Sequence, residues 1–137
     1  MAMQAQLKWI DGWQFVARAG EGPALVIDGH KTGAGSSPME LVLMGVAGCT
    51  AVDVILVMEK KRVNVTGFEI NISGERADEH PKRYTHIHIE YVLTGTGIRE
   101  RDVERAIQLS EEKYCSAIGS LNATVDNSYR IVDESTA

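Results

Sequence analysis

The sequence predicts an α+β fold in which an antiparallel sheet packs around one long buried central helix. Three observations predict it. Two mid-chain segments alternate apolar and polar residues with the period of a strand. One stretch of about 25 residues is apolar, helical in character and opens with a capping signal. The elements then follow in the order β-β-β-α-β-β-α-β. No internal repeat, linker or low-complexity run divides the chain, so residues 1–137 are expected to form a single domain.

The first thirty residues read as short strands. Leu7–Ile10 and Trp13–Val16 flank Asp11-Gly12, a two-residue signal for a tight hairpin, and Ala24–Asp28 reads as a third strand. The glycine-rich loop Gly29–Ser37 fits no phosphate-binding fingerprint. Ser37-Pro38-Met39-Glu40 then has a helix start's chemistry: serine as the cap, proline at the first helical position, and glutamate three residues after the cap. From there to about Arg62 the chain is apolar almost all the way round, which marks a helix that is buried or spans a membrane. Glu40 and Asp53 bracket an uncharged run of only 12 residues, short of the roughly 20 that cross a bilayer, so burial is the expectation. A helix of about 25 residues is some 37 Å long, more than a single small domain covers, so a partner subunit is expected along it.

Strands return at Phe68–Ser73 and Thr85–Leu93, joined by the polar connection Glu75–Lys82. After Gly95-Thr96-Gly97 a second helix is expected, with Val103, Ala106, Ile107, Tyr114, Ala117 and Ile118 on one apolar stripe. Asn127–Val132 reads as the last strand.

Bulk properties narrow the function. Hydrophobic content of 44% and charged content of 24% are ordinary for a soluble globular chain. A net charge of −5 offers no cationic field for phosphate, so neither nucleic acid nor an anionic membrane is expected as partner. The opening Met1–Leu7 lacks the basic and apolar regions of a secretory signal, and a cytoplasmic location is expected. Two cysteines cannot build the disulfide framework of a small secreted domain.

Those cysteines are the leading candidates for chemistry. Cys49 lies mid-helix in Gly45-Val46-Ala47-Gly48-Cys49-Thr50, where two glycines one turn apart each cost roughly 1 kcal/mol against alanine. Such a cost points to something approaching the backbone closely, another helix or a ligand. Cys115 sits near the end of the second helix, at the edge of its stripe. Two helical cysteines pair only where the helices cross, and as buried thiols they are equally simple small hydrophobes.

The run Ser37-Pro38-Met39-Glu40 leading through Leu41–Gly48 to Cys49 resembles the signature of the OsmC/Ohr family, and Glu111–Ser116 resembles the segment carrying that family's second cysteine. Around both cysteines the chain looks like the YhfA-like branch. The resemblance covers essentially the whole chain. It implies an intertwined homodimer and thiol-dependent reduction of peroxides, organic hydroperoxides especially. On this reading Cys49 attacks the peroxide oxygen, Cys115 resolves the sulfenic acid as a disulfide, and an external dithiol reduces it, with no cofactor. An arginine and a glutamate normally complete the family site, and Arg18 and Glu40 are the candidates here. The family's glutamate usually follows the proline directly, whereas Met39 stands there and Glu40 comes one later. Nine helical residues separate Glu40 from Cys49, a rotation of about 180° and a rise of about 14 Å, so Glu40 would act only across a dimer interface. Its capping role alone accounts for it. Ser116 replaces the proline that commonly follows the second cysteine. For Arg18, an exposed strand charge is the simpler reading.

Asp53 follows Cys49 by four residues on one helical face, and a carboxylate beside a thiol opposes thiolate formation. An ion pair with Arg18 or a wet interface would accommodate it. His86-Ile87-His88, beside Tyr84 and Glu90, offers two imidazoles on one strand face. A solvated face is the simpler reading, and no metal is expected. Two other functions remain open: binding of a small apolar ligand with inert thiols, and redox sensing without turnover.

Overall fold

The structure, a computed structural model, describes residues 2–30 and 33–134. The chain divides into two compact units, residues 1–42 and 43–137.

The first unit is an antiparallel meander of β1 (Ala5–Asp11), β2 (Gln14–Ala19) and β3 (Leu25–Asp28). The hairpin turn falls on Gly12-Trp13, one residue later than Asp11-Gly12, because Asp11 still pairs with Gln14. Gly12 supplies the positive φ of 53° that a two-residue hairpin loop needs. The glycine-rich loop lies partly outside the described residues.

Helix α1 (Pro38–Lys60) begins in this unit with a reciprocal capping box. The Ser37 amide donates to Glu40 Oε1 at 2.8 Å, and the Glu40 amide donates to Ser37 Oγ at 3.2 Å. The helix ends with Arg62 at φ 55°, its amide donating to the Glu59 carbonyl while the Val63 amide donates to the Met58 carbonyl. This is the bonding of a Schellman cap, with arginine where glycine is usual.

The second unit holds the rest of α1 and a three-stranded sheet ordered β4-β5-β6, from β4 (Asn64–Arg76), β5 (Tyr84–Thr96) and β6 (Thr124–Asp133). Strands β4 and β5 are antiparallel, but β6 runs parallel to β5. The all-antiparallel sheet expected from sequence is thus two sheets, one of them mixed. The physical reason is the long helical connection over residues 97–123, which carries the chain back to the start of β5 and lets β6 enter in the same direction.

That connection also departs from expectation. Instead of one helix it comprises α2 (Glu100–Leu109), a π turn (Ser110–Tyr114) and the short α3 (Ser116–Gly119). Cys115 between them is extended, φ −72° and ψ 101°, and Tyr114 is pushed out to solvent rather than continuing the apolar stripe. The wider π turn shifts the register, and a stripe drawn at 3.6 residues per turn does not anticipate it.

Val46, Thr50, Val54 and Met58 form a fully covered row on α1, four residues apart. Ile87, Ile89, Tyr91 and Leu93 of β5 and Val103, Ala106 and Ile107 of α2 are buried in the same unit. The opposite row of α1 is open: Met44 is 47% exposed, Val52 60% and Leu56 50%. The helix expected to be buried on every side therefore buries one side within its own chain. By length and composition alone α1 could cross a membrane, since Asp53 is the one charged residue between Leu41 and Met58. A carboxylate at a bilayer centre would cost roughly 2.5–3.5 kcal/mol.

Candidate thiol site

The break at Cys115 positions the site. The Cys115 amide donates to the Ser110 carbonyl at 2.7 Å, closing the π turn, and its extended backbone starts α3. Its sulfur accepts from the Ile118 amide at 3.4 Å. On α1, Cys49 and Asp53 stand one turn apart, as their i, i+4 spacing requires. The sulfurs of Cys49 and Cys115 and a carboxylate oxygen of Asp53 all lie within 4.8 Å of one another. Both cysteines are free thiols, Cys49 half-buried and Cys115 buried.

The electrostatics are those of a crowded acidic corner. Burial pushes the Cys115 thiol up to about 11, the Ile118 amide opposes this, and the neighbouring Cys49 sulfur raises it further. Asp53 Oδ2 accepts from the Ser110 hydroxyl at 2.8 Å, and Ser110 has no exposed surface. Among the described residues no ion pair forms on Asp53. A cavity of about 370 Å³ opens beside it, lined by Asp53, Leu56, Val57, Lys60 and Tyr114.

A second set of bonds anchors the π turn to the sheet. Tyr91 donates to Glu111 Oε2 at 2.6 Å, and Asn127 Nδ2 donates to Glu111 Oε1 at 3.0 Å. Burial, followed by the Glu111 carboxylate, pushes the Tyr91 hydroxyl strongly upward, so it serves as a fixed donor. Ser110 and Tyr91 went unnoticed in the sequence. Ser110 reads as an ordinary helical serine and Tyr91 as one more residue of an alternating strand.

The other candidates each have local partners. Glu40 is engaged in the helix cap already described. Arg18 is an exposed residue of β2, with Nε donating to the Gly20 carbonyl at 3.4 Å. His86 Nε2 meets Asp126 Oδ2 at 2.8 Å, while His88 contacts the same carboxylate through Nδ1 and Ser128 Oγ through Nε2 at 3.1 Å. The His88 bond, then the His86 bond, holds the Asp126 carboxyl below the usual carboxylate range.

Comparison with known proteins identifies the family and the fold. Residues 29–129 match the family model described as OsmC-like protein. The chain is 38% identical over 132 residues to Protein YhfA of Escherichia coli K12, covering 95% of this chain and 98% of that one. A hypothetical protein from Aquifex aeolicus VF5 superposes with a TM-score of 0.88 at 29% identity, over 98% of each chain. The organic hydroperoxide resistance protein OhrB of Bacillus subtilis shares the fold, with a TM-score of 0.62 at 14% identity over 95% of this chain and 98% of that one. The chain belongs to the OsmC-like protein family.

Proposed function

We propose that this protein is a cytoplasmic, homodimeric thiol peroxidase acting on organic hydroperoxides. The observation that carries the reading is the approach of two sulfurs, from α1 and from the break before α3, to within 4.8 Å. The Cys49 thiolate attacks the terminal peroxide oxygen; the O–O bond breaks, the alcohol leaves with a proton, and Cys49 becomes a sulfenic acid. The Cys115 thiol then displaces water to form the Cys49–Cys115 disulfide, and an external dithiol takes up the disulfide by exchange. Leu56, Val57 and Tyr114 give the adjoining cavity an apolar wall suited to the organic part of a hydroperoxide. The Bacillus subtilis structural relative is an organic hydroperoxide resistance protein, which supports this substrate class.

The dimer is part of the proposal. The open row Met44, Gly48, Val52, Leu56 leaves apolar surface that a second copy would cover. A Cβ placed on Gly45 or Gly48 meets nothing within 4 Å in its own chain, so the close approach those glycines permit is left for a second chain. Glu40 and Arg18 are the candidate carboxylate and cation of the family site, with Glu40 acting from the second copy.

The Asp53 carboxylate beside both sulfurs favours a second reading, a binding or redox-sensing dimer with slow thiols. Mass spectrometry of free thiols after a stoichiometric pulse of cumene hydroperoxide, then of hydrogen peroxide, separates the two. The peroxidase reading expects rapid loss of both thiols as an intramolecular disulfide, faster with the organic peroxide. Two thiols still free after minutes would overturn it.

A further inference from the structure

We propose that Cys49, Asp53 and Cys115 form a zinc-binding site that closes when both thiols are reduced. The three donors come from two elements, and their ligand atoms lie within 4.8 Å of one another. In a tetrahedral site with Zn–S bonds of about 2.3 Å, two sulfurs stand about 3.8 Å apart. Only a small contraction separates the observed cluster from that geometry.

Three features point to a divalent cation. Two ionisable thiols and a carboxylate crowd one another, and among the described residues no lysine, arginine or histidine forms an ion pair with Asp53; Lys60 shares the cavity without reaching it. The Ser110 hydroxyl donates to one oxygen of Asp53 from a fully buried position, which is how an outer partner orients a ligating carboxylate. The cavity of about 370 Å³ bordered by Asp53 leaves a way in for a fourth ligand, a water. Two sulfurs with one oxygen select zinc over magnesium or calcium, which take oxygen ligands throughout. On coordination each thiol gives its proton to solvent as its sulfur takes the metal, and no electron moves.

Zinc and the disulfide compete for the same sulfurs. The zinc-loaded form would therefore shield Cys49 from peroxide, and oxidation would release the ion. The zinc site itself does not depend on the peroxidase reading, since inert thiols could bind it equally.

The test uses the untagged, fully reduced chain under argon. Cobalt(II) serves as the spectroscopic probe and zinc(II) displaces it, with a chromophoric chelator as competitor. The expected result is one cobalt per chain, with sulfur-to-cobalt charge-transfer absorption and the intense visible bands of a tetrahedral ion, both abolished by equimolar zinc. Asp53→Asn and Cys115→Ser should each weaken zinc binding at least tenfold, and Ser110→Ala by about tenfold through the carboxylate it orients. Circular dichroism of each apo variant checks that the chain is folded; if Cys115→Ser is not, Asp53→Asn decides. Absence of the charge-transfer band on reduced wild-type chain would overturn the proposal, as would unchanged affinity in a folded Asp53→Asn. No peroxide enters this assay, so its failure leaves the peroxidase reading standing, and the reverse holds for the peroxide pulse.

Discussion

Ser110 Oγ donates to Asp53 Oδ2 at 2.8 Å and thereby ties the π turn to the turn of α1 that carries Cys49. The serine is fully covered, and its loss removes a donor from the half-buried carboxylate of Asp53. Ser110→Ala is expected to cost about 1–3 kcal/mol of stability. Urea unfolding should show a lower midpoint with an unchanged slope, because the surface exposed on unfolding stays the same. An unmoved midpoint would mean that the bond contributes nothing net.

Gly48 offers a test of the dimer in which the sign of the effect decides. In the isolated chain an added methyl meets open space, so Gly48→Ala should raise stability by about 1 kcal/mol through helix propensity alone. With a second copy packed on the Met44–Gly48–Val52–Leu56 row, the methyl intrudes on that contact. The expectation is a dimer weakened at least tenfold in sedimentation equilibrium. A higher melting temperature with no change in assembly would count against this row as the interface.

Arg62 is the only non-glycine residue with positive φ among the described residues, and it occupies the cap position where glycine is at ease. Arg62→Gly should stabilise the chain by about 0.5–1 kcal/mol, with relief of the left-handed backbone exceeding the entropy that glycine adds to the unfolded chain. Thermal unfolding of the two proteins side by side reads the difference. A loss of stability would show that the arginine side chain contributes more than the strain removes.

Asp102 in the first turn of α2 receives a bond from Lys61 Nζ at 3.1 Å, and Arg99 Nε lies 3.3 Å from its other oxygen. The Lys61 bond first, with the positive charges of Lys61, Arg99 and Arg101 behind it, holds the Asp102 carboxyl below its ordinary value of 3.8. A depressed carboxylate contributes stability that is present above the unfolded value and is lost as pH falls through the folded one. Melting temperature should therefore decline below about pH 4 partly on account of Asp102. In Asp102→Asn that part of the decline should be missing, with the variant less stable at neutral pH. Parallel pH profiles for the two chains would disprove the assignment.

What the sequence disclosed and what it concealed divide along the range of the interactions. Ser37-Pro38-Met39-Glu40 announced its helix because a capping box is complete within four residues, and the observed bonds are those of the motif. The alternation from Thr85 to Leu93 located β5 because one face is covered. The parallel entry of β6 depends on where a long connection sets the chain down, which no local pattern records. The break before Cys115 was hidden for a related reason: the π turn owes its anchoring to Tyr91 and Asn127, both distant in sequence. At the site, the Cys49–Asp53 pair followed from helical spacing, whereas its meeting with Cys115 required the fold.

The Cys115 sulfur also serves as the acceptor that begins α3, receiving a hydrogen bond from the Ile118 amide. A sulfur drawn toward Cys49 has to loosen its hold on that amide. The state of the thiol pair is therefore written into the backbone two to three residues further on. Amide exchange at Ile118 becomes a reporter, slow while the thiol is free and faster once it is engaged. A segment of four residues, too short to be a helix on its own, would serve as the molecule's own record of its oxidation.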